Sequence, residues 1–255
     1  MEFNSAIDTS DIFYIYDGSF DGLLTVVYTA VYSRTAPFGI GVEKDLQLAF
    51  NTRYIEVATN KNYARRVYDA LYRKIGALGL RRLYYVFLSN DPMKDIIIYK
   101  YMMLGFKNGE KTNTALADDT VGGAFKIAEN VSRETEKFRQ FTRFSVMDWG
   151  VQYGKIAPNN SILPLLMPFF IKRLKIVPFV LHDVTHSLCG VYDTKDWHIS
   201  SSEGLIPPEK AVCEEEIEKL WNTFFNSISI KERENTKLQK QNMPVRYFKS
   251  VWSVR

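Results

Sequence analysis

The sequence predicts an α+β protein, with a helical N-terminal half packed with a C-terminal antiparallel sheet covered by helices. Three observations carry this. Apolar residues recur at helical spacing through much of residues 20–140, as at Tyr63, Val67, Leu71 and Ile75. Near Phe141 the pattern changes to short runs broken by turn residues: 141–147 alternates, Asp148-Trp149-Gly150 turns, and 151–156 returns as a hairpin partner. The composition, 46% hydrophobic and 24% charged over 255 residues, is that of an ordinary globular chain able to bury a core. The expected regions are 1–140, mainly helical with an N-terminal strand, and 141–255, antiparallel strands plus helices with a basic tail. With no repeat or low-complexity linker between them, one continuous core can serve both.

Taken in order, residues 12–17 (IFYIYD) are apolar and aromatic enough for a buried strand. Asp17-Gly18 breaks it, Ser19 is a good N-cap, and Asp21 lies in the first turn, where the helix dipole favours a carboxylate. The helix over residues 20 to about 33 is apolar nearly all round, which predicts a central, buried helix. A strand-like piece at 55–58 precedes Asn60, a second cap, and the amphipathic helix beyond it. Gly76 and Gly79 interrupt that pattern before the apolar stretch 83–88. Asp91-Pro92 starts a further helix to Gly105, residues 106–115 are polar and turn-like, and 121–140 forms a long helix. That helix has Ala124, Ala128 and Val131 on one side and acids on the other. In the C-terminal half, residues 158–161 are a turn and cap into an apolar helix over 162–174. Short strands at 178–181, 187–192 and 197–199 follow, and an amphipathic helix at 214–225 closes a β-β-α-β-β-β-α order.

Charge is segregated. The net charge is +4, yet residues 61–82 hold Lys61, Arg65, Arg66, Arg73, Lys74, Arg81 and Arg82 against Asp69 alone. Residues 231–255 hold Lys231, Arg233, Lys237, Lys240, Arg246, Lys249 and Arg255 against Glu232 and Glu234, so the remainder is net acidic. Two basic segments of this kind steer a polyanion, or simply form solvated faces. The two cysteines, Cys189 and Cys213, make neither a disulfide framework nor a metal-binding pair, which suits a reducing compartment. The N-terminus lacks a basic segment followed by an apolar core, and the most apolar run, 162–171, is ten residues with two prolines. A cytoplasmic protein without a membrane span is therefore expected.

Several clusters are candidates for chemistry. Asp17-Gly18-Ser19-Phe20-Asp21-Gly22 sits at a strand-to-helix turn, where backbone N–H groups could hold a phosphate, but two carboxylates oppose an anion and no phosphate-loop pattern is matched. A turn and cap is the favoured reading, with a functional carboxylate at Asp17 the alternative. Arg133, Lys137, Arg139 and Arg143 cluster with Glu134 and Glu136; paired charges on a solvated helix are the default, with Arg143 as a phosphate grip the alternative. His182, His186 and His198 lie near Asp183, Asp193 and Asp196 but without fixed ligand spacing. They are expected to be surface or hairpin histidines, and neither a metal nor a cofactor is expected. In the tail, Pro244, Tyr247, Phe248 and Val251 fall at i, i+3, i+4, i+7, so the aromatics dock the segment and leave its basic side chains as the contact surface.

Five blocks resemble a known family. These are YDGSFDGLLT from Tyr16, ARRV from Ala64, ETEKFRQFTRF from Glu134, LPLL from Leu163, and NTKLQ from Asn235 with MPVRY from Met243. Together they are similar to the family called "probable DNA metabolism protein", over nearly the whole chain; Phe248 stands where that family usually has tryptophan. The resemblance implies a DNA-repair setting, with members encoded beside a radical-SAM protein proposed to modify or repair DNA, and others fused to a uracil-DNA glycosylase-type domain. These 255 residues hold neither such a domain nor a three-cysteine radical-SAM cluster, so that chemistry is expected of a partner. The expected function is a DNA-metabolism accessory that binds DNA, the radical-SAM protein, or both. Its candidate contacts are Arg65, Arg66, Arg73, Lys74, Arg81, Arg82, Lys231, Arg233, Lys237, Lys240, Arg246 and Lys249. Two alternatives remain. One is an enzyme acting on damaged DNA or nucleotides, using Asp17, Glu134, Arg139 and Arg143; the other is a pure protein adaptor with an exposed apolar patch.

Overall fold

A computed structural model of the chain describes residues 11–43, 52–147 and 150–203, together with the single positions Thr223 and Lys237. The chain divides into two compact units, Met1–Asn130 and Val131–Arg255. It is α+β, as its patterning predicts. The helix expected over 214–225 and nearly all of the basic tail lie outside the described residues.

The first unit is built on a parallel sheet that the helical patterning conceals. Strand β1 (Asp11–Tyr16) is central, with β2 (Gly39–Val42) and β3 (Thr52–Glu56) paired parallel to it on either side. Residues 20–140 are mostly helical, as expected, and strand β2 is the addition that the patterning did not indicate. Strand β2, Gly-Ile-Gly-Val, escapes strand propensity because glycine is depleted in strands. Its glycines have a packing reason: a Cβ on Gly39 would come within 2.5 Å of the Phe13 ring.

Helix α1 (Phe20–Tyr32) follows a turn at Gly18, whose φ of +80° suits a residue without Cβ. Ser19 caps it, the side-chain oxygen accepting from the Gly22 N–H at 2.9 Å. Leu23, Leu24, Val26, Val27 and Ala30 enter the core. The helix is not buried throughout, however: Val31 is 46% and Tyr32 68% exposed.

Helix α2 (Lys61–Phe87) begins at Asn60, whose side chain accepts from the N–H groups of Asn62 and Tyr63. Residues 83–88, set apart by the glycines in the sequence, continue the same helix beyond a break at Gly76, where φ is +68°. The break frees the Ile75 carbonyl, which accepts from Asn113 Nδ2 at 2.8 Å. Tyr101 donates to Asn113 Oδ1, and Arg82 donates to both the Tyr101 hydroxyl and the Asn113 carbonyl. Such a fully satisfied network holds a kink in one position. Tyr101 belongs to α3 (Lys94–Asn108) and Asn113 to a 3-10 turn over Gly109–Thr114. Residues 106–115 are thus helical and 3-10 rather than loose turn.

The unit boundary falls inside α4 (Asp119–Phe141). The second unit carries a five-stranded sheet in sequence order: β4 (Phe144–Val146), β5 (Gln152–Ile156), β6 (Phe179–Asp183), β7 (Leu188–Tyr192) and β8 (Trp197–Ser201). β4 and β5 form the expected hairpin. All neighbours are antiparallel except β5 and β6, which run parallel because α5 (Leu163–Leu174) carries the chain across between them. Helix α5 packs on β6 and β7, and Gly190 admits it closely: a Cβ there would meet Met167 Sδ at 2.3 Å. The Phe144 ring meets Phe170 and Phe179 edge-on, with centroids 5.0 and 5.4 Å away. Among the described residues, no helix is long and apolar enough to cross a membrane.

Candidate nucleic-acid interface

The first turns of α2 and the end of α1 make an exposed face on the first unit that is both basic and aromatic. Tyr28 and Tyr32, four residues apart on α1, stack with centroids 4.2 Å apart and planes 25° apart. Tyr63, on α2, lies against the other side of Tyr28, also at 4.2 Å and within 7° of coplanar. The three rings form a short ladder in the order Tyr32, Tyr28, Tyr63. Tyr63 was expected in the buried stripe of its helix, but it is 39% exposed; the stripe proper is Ala64, Val67, Leu71 and Ile75.

Arg66 sits three residues beyond Tyr63, and its Nη1 donates to the Tyr28 hydroxyl at 3.3 Å. An open groove of about 150 Å³ lies alongside, lined by Val27, Val31, Val67, Ala70 and Phe106 together with Tyr28, Tyr32 and Arg66. Arg73 lies seven residues beyond Arg66, two turns along, and therefore on the same side of α2. Lys74 and Arg81 are also exposed. Arg65 is exposed too, but it shares its charge with Asp69 in an i,i+4 pair at 3.1 Å. Such a surface pair contributes little to stability.

Arg82 departs from the set predicted from sequence. Its guanidinium turns into the kink network and lies 5.2 Å from the centre of the Phe125 ring. Lys237 is helical and exposed; Lys231, Arg233, Lys240, Arg246 and Lys249 lie outside the described residues.

The four residues considered for catalysis each have a local partner. Asp17, in the first unit, takes hydrogen bonds on Oδ1 from the Ser19 N–H and hydroxyl and on Oδ2 from the Thr59 hydroxyl. Burial raises its pKa most strongly of any single influence, yet these bonds together outweigh burial and hold the carboxyl below its ordinary value. The favoured turn-and-cap role therefore accounts for its contacts. The other three belong to the second unit. Glu134, expected among solvated acids, is only 6% exposed. Its oxygens accept from the backbone N–H groups of Asn159 and Asn160 and from the Asn160 side chain at 2.6–2.9 Å, so it organises the turn leading to α5. Arg139 pairs with Glu136, donates to the Leu165 carbonyl at 3.4 Å and lies over the Phe169 ring at 5.3 Å. Arg143 donates to the Gln140 and Thr142 carbonyls, closing the C-terminus of α4.

The histidines occupy separate sites. His182, within β6, has Nδ1 at 2.6 Å from the Tyr153 hydroxyl and Nε2 at 3.1 Å from Ser202 Oγ. Burial lowers its pKa, Lys155 adds to the effect, and Asp183 opposes it. Tyr153 is pushed up to about 12 by burial and then by Cys189, so both rings are neutral at pH 7. His186, in the turn after β6, contacts the fully buried Asp183 through Nδ1 at 2.7 Å, and His198 is exposed on β8. Cys189 is buried and its thiol is pushed up, which disfavours a reactive thiolate. Among the described residues, no three metal-ligating side chains gather into one cluster.

Comparison with known proteins places the chain in a family. Residues 92–252, well over half of the chain, match the family model described as a domain of unknown function, DUF4130. The chain belongs to the DUF4130 family. The matched span starts beyond α2, so the tyrosine ladder of this DUF4130 protein lies outside it. No curated protein matches. Among solved structures, the pGpG-specific phosphodiesterase PggH from Vibrio cholerae aligns over 86% of this chain and 99% of its own, at 8% identity and a TM-score of 0.35. At that score the likeness carries neither fold nor function across.

Proposed function

We propose that this protein is a nucleic-acid-binding accessory of DNA metabolism that contacts the phosphate backbone along α2. One observation supports it most. Arg66, Arg73, Lys74 and Arg81 are all exposed on a helix whose buried stripe enters the core, and an aromatic ladder adjoins Arg66. Cations interleaved with aromatic rings make the usual groove for nucleic acid, the cations following phosphates and the rings meeting bases. Residues 231–255 are, in this proposal, a second basic segment that also contacts phosphates. The resemblance noted above supports the DNA-repair setting and a radical-SAM partner that supplies the chemistry. The local hydrogen bonds of Asp17, Glu134, Arg139 and Arg143 to turns and helix ends support a binding role for the protein.

Titration of single-stranded and duplex DNA at two salt concentrations tests this reading. Four phosphate contacts to a single strand give a loss of roughly 50-fold in affinity between about 50 and 200 mM salt. Absence of binding at the lower salt would refute it. Co-purification of the radical-SAM protein in nuclease-treated extract would instead favour an adaptor.

A further inference from the structure

We infer that the outer face of Tyr32 is a stacking platform for an unpaired nucleobase, so that this surface selects single-stranded over duplex nucleic acid. The inference rests on the proposed nucleic-acid reading and specifies its substrate. Tyr32 ends a ladder in which each ring is held by the next at 4.2 Å, and Tyr28 is further tied by its hydroxyl to Arg66. The platform is thus formed before any ligand arrives, which removes the ordering cost of a free side chain. Tyr32 nevertheless stays 68% exposed and the adjoining Val31 46%. A large apolar ring left in water beside an open apolar groove is an interaction site by its surface chemistry.

Charge decides the class of occupant. The Arg66 guanidinium stands at the edge of the ladder and Arg73 lies two turns further along the same side of α2, while Asp69, between them in sequence, is engaged by Arg65. A flat aromatic ligand carrying regularly spaced negative charge suits that arrangement, and a single strand of nucleic acid has both. In a duplex the base faces are already stacked on one another, so only the phosphates remain to be contacted. Stacking tolerates any base, because each has a π face.

The test is fluorescence anisotropy of the full chain with a labelled oligothymidine, a duplex of the same length, and an oligomer of abasic sites with the same number of phosphates. Tyr32→Ala should weaken the oligothymidine complex about tenfold, the scale of losing one stacked base. It should leave duplex and abasic binding unchanged, and Tyr32→Phe should bind as the parent does. Equal oligothymidine affinity in parent and Tyr32→Ala overturns the platform, even if salt-dependent DNA binding, and with it the broader reading, survives. A uniform loss on all three ligands also overturns it, because that pattern reports charge or fold rather than stacking. No binding of any ligand by the parent protein at low salt removes both readings.

Discussion

Two of the aromatic clusters among the described residues have opposite fates. In the first unit Tyr28, Tyr32 and Tyr63 stack at the surface, and in the second Phe144, Phe170 and Phe179 meet edge-on inside. Phe170 and Phe179 are sealed from water by α5 and the sheet; Tyr32 has water on one face and an arginine near its stack. Ring contacts alone therefore do not mark a site. Exposure of the ring and a cation beside it do, because only such a surface can offer stacking and charge to a ligand. Arg82 shows the same distinction from the other side: it lies near aromatic rings, but its guanidinium is bound into the kink of α2.

Substitution breaks the comparison most sharply in the buried cluster. Phe179→Ala should cost about 3–5 kcal/mol, the range for deleting a buried aromatic ring, whereas Tyr32→Ala should cost no more than about 1 kcal/mol. Chemical denaturation measures both, and comparable losses would mean that the tyrosine ladder is a packing element. Glu134→Ala comes next. It removes the acceptor for the half-buried Asn159 and Asn160 N–H groups, and leaving such donors unsatisfied costs about 1 kcal/mol, the low end of the range for buried groups, visible as a lower denaturation midpoint.

The smallest expected effect is on pH dependence. Burial, then Lys155, lowers the folded-state pKa of His182 from its ordinary value of 6.5. The unfolded chain therefore binds a proton more readily. The stabilising contribution is complete above about pH 6.5 and is lost as pH falls through the lower, folded-state value. The Tm difference between parent and His182→Gln should shrink on going from pH 7.5 to pH 5. A difference that grows on acidification would reverse the assigned sign.

Much of the fold was legible where one residue determines its local backbone. Ser19 and Asn60 are both caps because their side chains reach the first free N–H groups of α1 and α2. The hairpin and the three short strands were legible because turn residues bracket each apolar run. Strand β2 was not, since its glycines answer to the Phe13 ring on a strand far from it in sequence. The parallel β5–β6 pair likewise depends on where α5 returns the chain. Of the proposed interface, the cations of α2 could be picked out by composition. The ladder could not: the i,i+4 spacing of Tyr28 and Tyr32 is a local signal, but the Tyr63 contact exists only once α1 packs on α2. Burial of Glu134 was hidden for the same reason, because its partners lie 25 and 26 residues away.

The most direct test of the central claim compares parent protein with the triple substitution Arg66→Ala, Arg73→Ala, Lys74→Ala across a salt series on single-stranded DNA. Three lost phosphate contacts should make the slope of log affinity against log salt shallower by about 2. That change is expected with the fold intact by circular dichroism. An unchanged slope and affinity in the triple variant would contradict it.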